Sequence, residues 1–326
     1  MRYLFSLLFV TLFFNLDTYS QLLPSMVGAA TKKGSGGAGG GAAETRNFTN
    51  CSSTGINGPL QSDCNTAYAS DDLNGEVTVT NGIQEWTVPT TGSYVIEVWG
   101  ARGGYTGGCH SSQLGGTLCH GANGARMKGT FNLTQGDILR IAVGQMGEDY
   151  SSDGGSVGGG GGGGGTFVAK GNNHSGATVL IVSGGGGGGH YYSNQVAKGG
   201  QTTESGLGNT STGHSYKAGG GGSWSSDGAD GTFGSTGGKG WANFLVGGTH
   251  ATSGGNHWSK GDGGFGGGGG GTWPAGNGGG YNGGPQVLSG GNPTPGGSGG
   301  GSYNIGSNQD NTAGAWNSHG KVTITW

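Results

Sequence analysis

The sequence predicts an all-β protein: a sandwich of antiparallel strands whose connections carry ordered glycine segments. Three observations predict it. Short alternating or continuous apolar segments, bounded by turn residues, recur towards both ends of the chain. Runs of nearly pure glycine abut several of them: residues 154–165 lead into Thr166-Phe167-Val168-Ala169-Lys170, and Val179-Leu180-Ile181-Val182-Ser183 leads into residues 184–189. Single large residues, among them Phe167, Trp224, Phe233, Trp241, Phe265, Trp273 and Tyr281, punctuate these runs. A flexible linker has no use for such punctuation. Glycine lacks a Cβ, so extended left-handed threefold helices can pack backbone against backbone, as collagen needs glycine at its crowded axis.

Composition narrows the class. The 326 residues include 87 Gly but only 7 Pro, which excludes the collagen triplet. A hydrophobic fraction of 30% at this glycine content usually signals disorder, but 8 Trp, 11 Tyr and 10 Phe argue for a packed chain. Charge is sparse, 14 basic against 17 acidic residues, a formal −3. That balance offers no patch for nucleic acid and no charged tail.

Residues 1–20 read as a secretory signal. Arg2 supplies the positive start, residues 4–14 an apolar stretch broken only by Ser6 and Thr11, and Ser20 the small residue before cleavage. The apolar stretch is too short to favour a membrane anchor, and no later segment reads as a span. A secreted, extracellular chain follows. Residues 21–46 read as a small-residue flexible linker outside the fold. The ordered domain is expected over residues 47–326. Five asparagines sit in glycosylation sequons: Asn47, Asn50, Asn132, Asn173 and Asn209.

Four cysteines in an exported chain read as two disulfides, and sequence order favours the local pairs Cys51 with Cys64 and Cys109 with Cys119. Cys109-His110 and Cys119-His120 form a repeated doublet that could instead hold zinc, although its spacing matches no common framework.

Strands are expected at residues 76–80, 83–88 and 93–99, with Asn81-Gly82 as a hairpin turn. Residues 125–133 and 137–144 form a further pair, 166–170 and 177–183 another. The last strand, residues 320–326, alternates Val322, Ile324 and Trp326 with Lys321, Thr323 and Thr325. Sandwich strands are thus expected at about 76–144, 166–183 and 320–326, and the glycine bundle at about 100–125, 145–165 and 184–319. No amphipathic helix is expected. Trp86, Trp99, Phe131, Phe167 and Trp326 read as core. Trp224, Trp241, Trp258, Trp273, Tyr281 and Trp316 read as caps on the glycine segments.

Several blocks carry a resemblance in the same order. They are Cys51-Ser52-Ser53-Thr54-Gly55-Ile56-Asn57-Gly58-Pro59 through Cys64-Asn65-Thr66-Ala67-Tyr68, Gly82-Ile83-Gln84-Glu85-Trp86-Thr87-Val88-Pro89, Gly100-Ala101-Arg102-Gly103-Gly104, Gly129-Thr130-Phe131-Asn132-Leu133, Val143-Gly144-Gln145-Met146-Gly147-Glu148-Asp149, Gly263-Gly264-Phe265 and His319-Gly320-Lys321-Val322-Thr323-Ile324. This succession, from about residue 51 to 326, resembles the glycine-rich extracellular region of the anaplastic lymphoma kinase and leukocyte tyrosine kinase receptors. The resemblance implies a tumour-necrosis-factor-like β-sandwich, a jelly roll, with an inserted bundle of polyglycine type II helices, and a surface that binds small cytokines. Residues 184–264 do not match position by position, so no ligand-binding residue is carried over.

No catalytic set emerges. Gly-x-Gly-x-x-Gly recurs by composition, outside any strand–turn–helix unit. Gly237-Gly238-Lys239 is followed by Gly240 where a phosphate loop needs Ser or Thr. Asp227-Gly228-Ala229-Asp230-Gly231 and Gly261-Asp262-Gly263 lack the nine-residue period of calcium β-rolls and read as turns. His110, His120, His174, His190, His214, His250, His257 and His319 read as scattered loop residues. No strand lysine with a glycine loop, His-Arg-Asp or Asp-Phe-Gly marks a kinase. The chain is therefore expected not to be an enzyme and to bind no cofactor or metal. A protein partner or self-association is expected instead, with no nucleic acid and no membrane span. Two functions compete: a secreted glycine-rich structural or interaction protein of a matrix, coat or adhesive, and a soluble receptor-like ectodomain that binds a small secreted protein. Ice binding would need regular threonine ranks, which Thr202, Thr203, Thr210 and Thr212 do not form.

Overall fold

Alternating side chains build two antiparallel sheets in this computed structural model, which describes residues 43–106, 119–150, 158–190, 196–208, 216–252, 261–286, 288–289 and 296–326. The strands are β1 (Thr45–Phe48), β2 (Val77–Thr80), β3 (Ile83–Thr87), β4 (Gly92–Trp99), β5 (Gly124–Leu133), β6 (Ile138–Ala142), β7 (Thr166–Lys170), β8 (Thr178–Ser183), β9 (Tyr216–Lys217), β10 (Leu288–Ser289), β11 (Tyr303–Asn304), β12 (Thr312–Trp316) and β13 (Lys321–Thr325). One sheet runs β1-β13-β4-β5-β12, the other β11-β8-β7-β6-β3-β2, and β9 pairs with β10 alone. Among the described residues the one α-helix is α1 (Gln61–Ala67). No helix among them is long and apolar enough to cross a membrane.

The inward side chains of both sheets share one core, with Phe48, Trp86, Tyr94, Ile96, Met127, Ile141, Val168 and Val322 all buried. The last strand inserts between β1 and β4, so Val322 faces Val98 and Ile324 faces Ile96. Trp326 is partly buried, stacked on Tyr94 at 5.3 Å and packed against Trp86 at 5.5 Å. Trp99 departs from the expected core set. It is half-buried beneath Lys321, whose Nζ lies 4.2 Å from the ring.

The Asn81-Gly82 turn forms as expected, with both residues at positive φ (49° and 81°). Three other features differ from expectation. The ordered chain starts inside the expected linker: Thr45 pairs with Thr325 and the Glu44 N–H donates to the Trp326 carbonyl at 3.0 Å. Small and charged residues conceal β1, which forms because the free edge of β13 accepts it. The span expected to be glycine bundle contains β11 and β12, which join β8 and β5 respectively. The sequence of β12, Thr-Ala-Gly-Ala-Trp, carries no strong strand signal. Finally, α1 is too short for an apolar period to register. Asp63 accepts a bond from the Leu60 N–H at 2.8 Å, which starts the helix. Its Gln61 side chain then lies along the outer edge of β2, donating to the Val77 carbonyl (3.0 Å) and accepting from the Val79 N–H (2.7 Å).

The outward face of the six-stranded sheet is covered as well. Ile83, Phe167, Ala169 and Val182 pack against Trp241, Leu245 and Phe265 from the glycine-rich region. Phe265 also fills the space left by Gly58 and Gly82, where an added Cβ would meet its ring.

The glycine segments are ordered through lateral hydrogen bonds. Gly160 and Gly163 donate to Gly189 and Gly186; Gly161 and Gly164 to Glu148 and Gln145; Gly162 and Gly165 to Gly269 and Gly266. Every third residue thus turns to the same neighbour, and three antiparallel neighbours surround the segment. The same step of three recurs where Gly185 and Gly188 donate to Gly279 and Gly276, and Gly186 and Gly189 to Ala101 and Gly104. Buried N–H groups are thereby satisfied without any sheet. The close approach requires glycine: a Cβ on Gly161 would overlap the Asp262 carbonyl, and one on Gly186 the Ala122 carbonyl.

Gly161→Ala is expected to destabilise the fold by about 2–3 kcal/mol, because rigid backbone would have to give way. Gly92→Ala, whose Cβ would meet only a Tyr94 ring carbon at 3.9 Å, should stay within about 0.5 kcal/mol of the parent. Urea unfolding of both variants checks the contrast.

Candidate functional site

Five parts of the chain converge on a cavity of about 300 Å³. Its walls are Thr54 and Gly55 of the loop before α1, Arg102 beyond β4, residues 146–149 beyond β6, Asp262, and His319 just before β13. The glycine network sets their register. The Gly147 N–H donates to the Arg102 carbonyl (3.1 Å), and the Glu148 N–H to the Asp262 carbonyl (2.8 Å). A disulfide between Cys51 and Cys64 closes the loop that carries Thr54 and Gly55.

Arg102 is the buried cation of the site. Its guanidinium forks onto Asp149 at 2.9 and 3.2 Å and stacks 3.9 Å from the Tyr105 ring centre. The Tyr105 N–H adds a third bond to Asp149 at 2.8 Å. Burial pushes the Asp149 carboxyl up, but the Arg102 and Tyr105 bonds and the Arg102 charge outweigh it and hold it below the usual carboxylate value. His319 accepts the Met146 N–H on Nδ1 at 3.1 Å. Burial, helped by the Arg102 charge, holds its imidazole below the ordinary value.

A second cluster continues from the cavity rim. The His250 ring Nδ1 and the His250 backbone N–H both lie 2.7 Å from Asp262 Oδ1. The Asp262 N–H donates to Glu148 Oε2 at 3.0 Å. One ligating atom each from Glu148, His250 and Asp262 can be chosen so that all lie within 4.8 Å of one another. These three residues are the group best placed to hold a metal ion among the described residues.

The residues singled out from the sequence are dispersed. Cys119 is disulfide-bonded, which removes its thiolate as a zinc ligand, and Cys109 lies outside the described residues. Asn47, Asn132 and Asn173 are exposed; Asn50 is half-buried with its amide donating to the Ser53 carbonyl; Asn209 lies outside the described residues. The histidines do not all stay in surface loops. His190 is fully buried among glycine segments, and His174 is sandwiched between Trp241 (4.5 Å) and Phe244 (4.4 Å). Flanking glycines disguise such burial, because in sequence they read as loop. His110, His214, His257 and Trp258 lie outside the described residues. Sequence reasoning missed Arg102, Glu148, Asp149, Asp262 and His319 as one site. The available signal was charge embedded in glycine, in a chain where charge is scarce.

No protein-family model matches the chain. The chain is similar to the leukocyte tyrosine kinase receptor of Mus musculus, 35% identical over 112 residues that cover 33% of this chain and 12% of that receptor. This identity supports a relation to that receptor family.

Acid should lower the stability of the protein over two pH windows. Burial pushes the His190 imidazole down to about 3, so unfolding takes up a proton between the ordinary histidine value and that one. Stability therefore falls as pH drops through this window, and His319 contributes in the same direction. The Asp149 contribution is present above the usual carboxylate value and is lost as pH falls through its lowered one. Asp149→Asn should cost about 1–2 kcal/mol at neutral pH, since Asp149 is half-exposed, and the two urea-midpoint curves should converge below about pH 4. Parallel curves to low pH would sink the assignment.

Proposed function

We propose that the chain is an extracellular protein-recognition module, a receptor-like ectodomain that binds a small secreted protein. The observation that carries this reading is the likeness to the leukocyte tyrosine kinase receptor. The Cys51–Cys64 disulfide and the leader-like residues 1–20 are consistent with the extracellular setting it requires. The proposal includes no catalysis.

The finer architecture belongs to the same proposal. We take the sandwich to be of the tumour-necrosis-factor-like jelly-roll type, supported by two antiparallel sheets around one core. We take the glycine segments to be type II polyglycine helices. The support is the step of three in their lateral bonds, the repeat of a threefold extended helix that makes no bonds within itself. Such a bundle is a stiff platform: a ligand meeting it would lose little binding energy to ordering the surface.

A glycine-rich structural protein is the second reading, and it makes a different prediction about mass. Light scattering on the purified, glycosylated full chain over a concentration series separates the two. The recognition module is expected to stay monomeric, and to bind saturably and one-to-one a small secreted protein of the kind recognised by the receptor it resembles. Reversible growth into large assemblies without such binding would favour the matrix role.

A further inference from the structure

We propose that Glu148, His250 and Asp262 form a binding site for one divalent transition-metal ion at the rim of the cavity. The site is independent of the recognition reading and stands or falls separately. Three observations carry it.

The donor set comes first. One imidazole and two carboxylates, with ligating atoms within 4.8 Å of one another, supply three nitrogen and oxygen ligands, the number an open zinc-type site uses while keeping a further position for water. The second observation is charge. Arg102 is committed to Asp149, and among the described residues no lysine or arginine pairs with Glu148 or Asp262. Among the described residues the two carboxyl groups are therefore held together with only a histidine as their ion-pairing neighbour.

The third is rigidity. Each ligand sits on a backbone that the glycine network cannot release cheaply. The Gly161 N–H donates to the Glu148 carbonyl, the Gly263 N–H to the Gly248 carbonyl and the Gly271 N–H to the Gly261 carbonyl. The Glu148 N–H reaches the Asp262 carbonyl, and the Asp262 N–H reaches the Glu148 carboxylate. Ligands are thus gathered before any ion arrives, so binding costs little reorganisation. A ring nitrogen of His250 would then ligate the ion, and the direct contact to Asp262 would give way to a shared ion.

The test uses the full chain stripped with a chelator. Zinc ion alone is titrated by calorimetry, and cobalt(II) alone is followed by its visible absorption. The proposal expects one equivalent bound and a low-coordinate cobalt spectrum. Glu148→Gln, at an exposed side chain, should weaken binding at least about tenfold while circular dichroism shows the fold intact. His250→Gln should abolish the cobalt spectrum, and His120→Gln, at an exposed histidine outside both the cavity and the trio, should leave both signals unchanged. Absence of stoichiometric binding would overturn the proposal, as would equal binding by the parent, Glu148→Gln and His250→Gln.

Discussion

Lateral hydrogen bonding between backbones that carry no side chain is the constraint on which this structure depends. A side-chain core works at a separation of about 10 Å between sheets. The glycine segments approach until one residue's Cα stands where a Cβ would strike its neighbour's carbonyl, as at Gly161 and Asp262. Glycine loses more conformational freedom on folding than any other residue. That cost is offset by directional bonds in three directions and by exclusion of water from each N–H. A single segment could not satisfy itself, so the bundle forms as a set or not at all.

The sandwich and the bundle support each other through few side chains. Trp241, Leu245 and Phe265 attach the glycine region to the outward face of the six-stranded sheet, a face that would otherwise expose Ile83, Phe167 and Val182. In return the glycine run 158–165 leads directly into β7, and β8 continues directly into the run 184–189, so sheet register becomes glycine-segment register. The buried guanidinium of Arg102 in the cavity is fixed by Asp149, the Gly103 carbonyl and the Tyr105 ring together.

Much of this was legible in the sequence, and the reason differs by element. The inner strands β3 to β8 announce themselves through period-two apolar patterning, and Asn81-Gly82 through its turn chemistry. The ordering of glycine was legible from the large residues set into the runs. Edge strands β1 and β12 were not, because their partners rather than their own side chains make them strands. The cavity was hidden for a further reason: Arg102, Glu148, Asp262 and His319 are far apart in sequence, and only the registry between glycine segments brings them together. Local pattern carries no information on that registry, since every glycine run looks alike.

The Gln61 side chain has a consequence beyond the helix that bears it. By taking the carbonyl of Val77 and the N–H of Val79, its amide occupies the positions a further strand would use. The six-stranded sheet therefore ends in a false neighbour, one residue wide, that offers no continuing ladder. That edge of the sheet therefore does not present the free ladder that strand addition by another copy would use.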